Sequence, residues 1–494
     1  MRLPFLIALS LSAATATAAE PFDRTAWQQD FAQLKSELVN RYVNLAWKAS
    51  DIGGVDLPAL DRKTTAALSS ATDNAQAADA IRAFISGFRD GHLSELPTLA
   101  ATTTPAVEPD KPQLETLDPA AGCAALGYGS TGPVAFSLPF ESLPGFHLLS
   151  DGISSTYRVG AVTRAGVTIG MIRIHNFKAE AFQAACLHAW NDLRGRGTPI
   201  TRRALGEAAG LGWFRELVQA VAVLRKAGAT TLVIDIGRNS GGDDSGDLMP
   251  RLFTDRQVRS ARLLMVDAPV AANYFSEKID DIDEALTAAR SDEAKAALKQ
   301  ARAFFSAQKA AIGQGRCDLS WVWRERRSWS PENCNRLLPA GYAGGYSPGL
   351  PRGAYGDAKA ATVLSLPSIV QAQFGSWTGP TYVLADKRSY SSAEMFAAVM
   401  QDNGIAKIVG DRTGGDGCGF MTDGEPIVLR HSRLRFRVPN CMRLRADGTN
   451  EEAGISPDLP VLPTEGESDR ARGERVLRSI AGDAGVAVHK PSQS

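Results

Sequence analysis

The sequence predicts an α/β protein, in which a mixed sheet carries helices on both faces and is joined to an N-terminal helical domain and a smaller β-rich segment. Three observations support this. Between residues 24 and 90 apolar residues recur at helical spacing: Phe31, Leu34, Leu38 and Tyr42, then Ile81, Phe84, Ile85 and Phe88. From residue 167 strand and helix patterns alternate, which argues for a mostly parallel sheet covered on its faces. The composition is globular, 44% hydrophobic and 22% charged over 494 residues, with 46 Gly and 26 Pro to supply the turns of such a fold.

Taken in order, Met1-Arg2, the apolar run Leu3 to Leu11 and Ala16-Thr17-Ala18 read as a secretory signal peptide over 1–18, too short to span a bilayer. The expected location is therefore periplasmic or secreted. Residues 19–100 form the helical domain. Residues 101–165, richer in Pro, Gly and Thr, read as an irregular β segment with short alternating runs such as Tyr157 to Val162. The core is expected over 166–463. In it Val167 to Ile174 is a strand, Trp213 to Lys226 an amphipathic helix, and Thr231 to Ile236 a buried strand ending in a Gly-rich turn. Residues 270–345 read as an insertion holding a charged helical run, Glu277 to Gln308, and Trp321, Trp323 and Trp329. Two readings stand for it: a lid or subunit contact, or a solvated hairpin. A C-terminal helix and tail close the chain at 464–494.

Charge and cysteines narrow the classes. With 54 Lys+Arg against 54 Asp+Glu the formal charge is zero, so no cationic excess exists for nucleic acid or an anionic membrane surface. No later stretch is long and apolar enough for a membrane span. Six cysteines in an exported chain suggest disulfides, and proximity favours Cys317–Cys334 and Cys418–Cys441, leaving Cys123–Cys186. No CxxC or Cys/His spacing marks a metal site, so neither metal nor cofactor is expected.

Four segments carry chemistry. In Thr381 to Asp402 a strand turns through Lys387-Arg388-Ser389-Tyr390-Ser391 into a helix beginning at Ser392. A serine there meets backbone N–H groups and the positive end of a helix dipole, which suits a nucleophile with its oxyanion site. Ser391-x-x-Glu394 is equally a capping box that satisfies the first helical N–H groups. The second segment, Asp235 to Gly242, ends in paired glycines that let backbone N–H groups approach a ligand. The third, Asp90-Gly91-His92, offers an imidazole whose ordinary pKa suits a general base, or a structural histidine. The fourth, Glu451 to Asp458, places a carboxylate before a Gly-x-x-Pro-Asp turn.

Together and in this order, the four resemble the C-terminal processing (tail-specific) serine peptidases, which share a ClpP/crotonase-like core with tricorn protease and interphotoreceptor retinoid-binding protein. Ser389-Tyr-Ser-Ser-Ala-Glu394 matches the nucleophile turn, and Val409-Gly-Asp-Arg-Thr-Gly-Gly415 the segment after it. Asp235 to Gly242, Asp90-Gly-His92, Glu451 to Asp458 and Gly170 to Phe177 match the remaining motifs. The lysine of the family's Ser–Lys dyad would fall at 391 + 25 = 416, where this chain has Asp416, a poor base with an ordinary pKa near 3.9. The resemblance therefore implies the tricorn-type arrangement: Ser391 as nucleophile, His92 as general base and acid, and Glu451 as the carboxylate that orients the imidazole. Glu452 stands beside it as the other candidate. N–H groups of Gly241 or Gly242 and of Ser392 would form the oxyanion hole. The implied substrate is a peptide or protein. A catalytically inactive ligand- or peptide-binding protein on the same core is the alternative. Residues 101–165 occupy the place of a PDZ domain but lack its later portion, so an intact one is not expected.

Overall fold

Aspartates start most of the N-terminal helices. In the computed structural model, which describes residues 21–97, 114, 117–129, 134–315, 317–333 and 335–488, α1 (Arg24–Arg41) begins where Asp23 accepts the N–H groups of Thr25 and Ala26. After α2 (Leu45–Lys48), Asp56 and Asp73 cap α3 (Leu57–Ser70) and α4 (Asn74–Ser86) in the same way. Phe31, Leu34, Leu38, Leu68, Ile81 and Phe84 close one core between them. The expected signal peptide lies outside the described residues. After α4 the chain passes His92 into a short strand, β1 (Ser94–Leu96).

After α5 (Pro119–Ala125) come β2 (His147–Asp151), β3 (Arg158–Arg164) and β4 (Val167–Arg173). Helices α6 (Gln183–Gly195) and α7 (Arg202–Lys226) then lead to β5 (Thr231–Asp235) and the single turn α8 (Ser245–Leu248). The next stretch holds β6 (Arg262–Val266), α9 (Ala271–Ala288), α10 (Asp292–Ala311), β7 (Leu337–Tyr342) and α11 (Ala358–Leu364). It is followed by β8 (Thr381–Ala385), α12 (Ser392–Asp402), β9 (Lys407–Gly410), β10 (Ile427–Val428), β11 (Arg435–Arg437), β12 (Cys441–Leu444), β13 (Leu459–Pro460) and α13 (Asp469–Val488).

The main sheet has the order β13-β9-β8-β5-β4-β3-β2, parallel from β13 to β4 and antiparallel beyond. Alternate residues of the central strands face opposite cores, as a strand period of two requires. Ile172, Leu232, Ile234 and Val383 pack with Trp213, Leu217 and Phe396 of α7 and α12. Met171, Val233 and Leu384 pack with Val476, Leu477 and Ile480 of α13. Helices thus cover both faces, as the sequence predicts.

Two expected boundaries move. The β segment assigned to 101–165 is no separate unit, because β2 and β3 are strands of the main sheet and β3 pairs with β4 along its whole length. Its edge at 165/166 cuts a two-residue hairpin turn in which Ala165 and Gly166 both have positive φ, the geometry that matches strand twist. The 270–345 segment is not a solvated hairpin either. Its strand β7 joins β6 and β12 in a second antiparallel sheet, and Tyr274, Phe275, Leu298 and Phe305 of α9 and α10 share a core with Leu263, Met265 and Leu338.

Two expected disulfides form. Cys123–Cys186 ties α5 to α6, and Cys418–Cys441 ties the loop after β9 to β12. The third expected pair involves Cys334, outside the described residues. Among the described residues no helix is long and apolar enough to cross a membrane.

Candidate active site

The Ser391 turn is built from its neighbours inward. Ser391 has φ 54° and ψ −115°, a conformation that costs a non-glycine residue on the order of 1–3 kcal/mol and persists only where surroundings enforce it. Those surroundings are dense. The Ser389 hydroxyl donates to the Ile236 carbonyl, and the Tyr390 N–H to the Asn239 carbonyl at 2.9 Å. The Glu394 carboxylate accepts the Ser391 N–H at 2.9 Å, the reach-back half of the expected capping box. Gly241 closes the other side: with φ 97°, any Cβ there would stand 2.7 Å from the Ser391 Cβ. The serine is therefore presented at the mouth of α12 with its backbone locked.

Glu394 does more than cap. Its buried carboxylate also accepts from the Thr413 hydroxyl at 2.7 Å and from the N–H groups of Gly415, Asp416 and Gly417 at 2.7, 2.8 and 3.1 Å. Five donors converge on one carboxylate, binding the serine turn to the 413–417 loop. Burial pushes its pKa up to about 7 against those donors.

The glycine turn after β5 supplies N–H groups. The Asp235 carboxylate accepts from Ser137 and Gly237 and fixes the strand end. Gly241 corrects one expectation, since its N–H is committed to the Asn239 side chain at 2.8 Å and is not available to a ligand. Among the described residues no acceptor takes the N–H of Gly242 or of Ser392. The oxyanion candidates are those two, with Gly241 serving by its lack of a side chain.

His92 arrives from the N-terminal domain. Its segment is docked by β1, whose Ser94 pairs with Arg437 of β11. The ring lies edge-on to Phe420, centroids 5.8 Å apart, and Gly419 packs so close that a Cβ would meet the ring at 2.4 Å. His92 Nδ1 is 3.1 Å from the main-chain carbonyl of Asp416, and this acceptor favours the tautomer protonated at Nδ1, with a lone pair on Nε2. The Asp416 carboxylate accepts the Gly91 N–H at 2.8 Å, where a side chain at position 91 would collide with it at 2.4 Å. The position of the absent dyad lysine thus holds the histidine loop.

Glu451 is placed differently from the expectation. Its carboxylate is fully buried and accepts from the Arg443 Nε at 2.6 Å; among the described residues it makes no hydrogen bond to His92, and its other oxygen has no hydrogen-bond partner. Arg443 in turn donates to the carbonyls of Gly417 and Ser391 at 3.0 and 3.4 Å. Glu451 therefore acts on the site through Arg443. The carboxylates of Asp90 and Asp416 stand beside His92. Asp90, 3.9 Å from Nδ1, is held by the Tyr42 hydroxyl at 2.7 Å. Glu452 pairs with buried Lys48 at 2.5 Å. Burial, Asp90 and Asp416 hold the Glu452 carboxyl well above the usual carboxylate range, while Lys48 opposes them. Asp90, His92 and Asp416 each bring a donor atom within 4.8 Å of the others, the spacing of a cation site, but these groups already bind Tyr42, Gly91, His92 and Leu93 main-chain or side-chain donors.

Ser391, Ser392, His92, Gly241 and Gly242 line one cleft of about 400 Å³, with Asn176, Lys178, Asp243, Asp244, Phe420, Arg437 and Arg443 on its walls. Burial and neighbouring Asp243 raise Asp244 to about 6. The serine, the histidine and the glycine turn named from the sequence line this one cleft, whose other features, Arg443, Asp244 and the Asp416 carbonyl, the sequence reading did not name. Only Glu394, in its Ser-x-x-Glu spacing, carried a readable signal.

Residues 271–461 match the model of peptidase family S41, a span that includes Ser391, Asp416, Glu451 and Glu452 and leaves out His92 and the glycine turn. No curated protein sequence matches the chain. Three solved structures share its fold: a serine-to-alanine mutant of CPAF (15% identity, TM-score 0.57, covering 95% of this chain and 99% of that one), mature CPAF complexed with lactacystin (14%, 0.55, 93% and 99%) and mature CPAF (15%, 0.54, 94% and 99%). Residues 271–461 are thus similar to S41 peptidases, and the chain shares its fold with these structures.

Proposed function

We propose that this is an exported serine peptidase in which Ser391 attacks the peptide carbonyl and His92 takes the hydroxyl proton, then returns it to the leaving amine. The N–H groups of Gly242 and Ser392 stabilise the tetrahedral oxyanion, an interaction whose loss typically costs on the order of 100-fold or more in rate. The Asp416 carbonyl orients His92. The charge that forms on the imidazole during transfer faces buried Asp90 and half-buried Asp416, so those carboxylates do the work that the sequence assigned to Glu451. Glu451 is a positioning residue, holding Arg443 against the Ser391 and Gly417 carbonyls.

The observation that carries this reading is the strained Ser391 backbone opening into the same cleft as His92 and two uncommitted N–H groups. The signal-like N-terminus and the two disulfides support export. With β2 and β3 used in the main sheet, substrate choice rests on the cleft rather than on capture of chain ends by a PDZ domain. A serine-directed fluorophosphonate tests the reading. Wild type is expected to label and Ser391→Ala not to. Failure of wild type to label beside a reactive control hydrolase returns the protein to the inactive binding alternative. Lactacystin, bound in one CPAF structure, is a second probe.

A further inference from the structure

The cleft wall beyond the glycine turn has acceptors without donors. Asp244 precedes α8, yet its side chain makes no capping bond. Among the described residues it has no hydrogen bond and no ion pair. Lys178 lines the same cleft toward Asp243 and makes no ion pair among the described residues, and the other charges around Asp244 are engaged. Asp243 accepts the Ser245 N–H, and Asp247 pairs with Arg251 and accepts the Ser260 hydroxyl. Arg443 is bound to Glu451, and the Lys278 ammonium of α9 stands over the Tyr274 ring at 5.5 Å. A second, independent group points the same way: Asn176 lines this cleft, and its side-chain oxygen is buried with no hydrogen-bond partner among the described residues. A buried acceptor left unpaired costs roughly 1–3 kcal/mol, which a ligand bringing N–H donors would recover.

Reaction geometry decides which part of a substrate reaches this wall. His92 must approach the leaving nitrogen, so residues after the scissile bond run past His92, Phe420 and Arg437. The acyl-side residue faces the oxyanion turn, where Asp243 and Asp244 follow Gly242. We propose that Asp244 and Asn176 form the subsite for the residue on the acyl side of the scissile bond, and that it takes a cationic side chain, lysine or arginine. The inference rests on the peptidase reading for its orientation and on the unpaired acceptors for its chemistry. A guanidinium or ammonium supplies several N–H donors and a positive charge, the complement of what this wall offers.

The test pairs arginine with citrulline, which keeps the shape and removes the charge. Wild type is incubated with a random-sequence peptide library, and cut sites are mapped by mass spectrometry. The rate ratio is then measured on peptides identical but for arginine or citrulline at the acyl-side position. The expected preference for arginine is about 30-fold or more, falling toward unity in Asp244→Asn and retained in Asp244→Glu. In parallel, Nα-acetyl-arginine amide and its citrulline counterpart are titrated into folded Ser391→Ala, where arginine should bind more tightly by a factor that Asp244→Asn removes. Cleavage without charge preference, or a preference unchanged in Asp244→Asn, overturns the subsite and leaves the peptidase reading standing. Charge-selective binding by Ser391→Ala beside a wild type that cuts nothing upholds a cation site at Asp244 and overturns the peptidase reading, and with it the acyl-side assignment.

Discussion

The two halves of the cleft are held in different ways. The Ser391 half is made by the main sheet: β5 and β8 are neighbours, their terminal turns pack against each other, and α12 follows at once. The His92 half is assembled from remote segments. The histidine comes from the helical domain, its acceptor from Asp416, its packing from Gly419 and Phe420, and the acid cluster behind it from Tyr42, Lys48, Asp90 and Glu452. Glu394 and Arg443 tie the halves together, and Cys418–Cys441 anchors the 413–420 loop to β12. The comparison teaches that the proposed nucleophile is held by the core itself, whereas the proposed base is acquired by docking.

If so, disturbances should divide along that seam. The largest effect belongs to the base itself: His92→Asn should lower peptide hydrolysis by about 1,000-fold, measured as kcat/KM, with the melting temperature little changed. Loss of hydrolysis accompanied by unfolding would show that His92 is chiefly structural. Next, Glu394→Gln removes the charge on which five donors converge. Removing such bonds costs roughly 1.5–3 kcal/mol each at most, so both a lower Tm and a fall in fluorophosphonate labelling are expected. An unchanged Tm would break the claim that this carboxylate joins the halves.

Replacing Cys418 and Cys441 by alanine opens a loop whose ends lie 23 residues apart, a loss of about 3 kcal/mol of stability by chain entropy. At temperatures where the variant stays folded, labelling of Ser391 should fall about 10-fold, because the released loop carries Asp416, Gly419 and Phe420. Labelling at the wild-type rate would mean that the histidine half needs no tie. A smaller effect is expected from pH. Asp244 titrates near 6, so above that value its carboxylate is charged and below it neutral. The arginine-to-citrulline rate ratio should therefore decline between pH 7.5 and 5, in the presence of Asp243, Asp247, Arg443 and Lys278 around it. A ratio flat across that range would locate the selectivity elsewhere.

Much of this was legible along the chain. VTIGMIRI, TLVIDI and TYVLA are continuous buried strands, and their apolar runs identify them without tertiary information. Ser391 and Gly242 were legible because a strand, a turn and a helix in sequence already build an N–H-rich pocket. Glu451 was read as the partner of the histidine because a carboxylate beside a turn looks the same whether it meets a histidine or an arginine. Arg443, eight residues earlier, claims it only once β12 is laid against β6. The β2–β3 hairpin was set apart for a similar reason, since strand pairing partners are not written in either strand.

The sequence by itself indicated the alternating core, the Cys418–Cys441 pair, the zero net charge and the serine and histidine proposed as nucleophile and base. Each of these depends on composition or on residues close in the chain. Only the tertiary structure decided that Gly241 spends its N–H on Asn239, that a main-chain carbonyl rather than Glu451 receives His92, and that Asp244 faces the cleft unpaired. Those outcomes depend on which of several equivalent donors and acceptors lies nearest in space. Hydrogen bonds weaken steeply beyond about 3 Å and away from good alignment, so a choice among them is settled by packing and leaves no mark in the sequence.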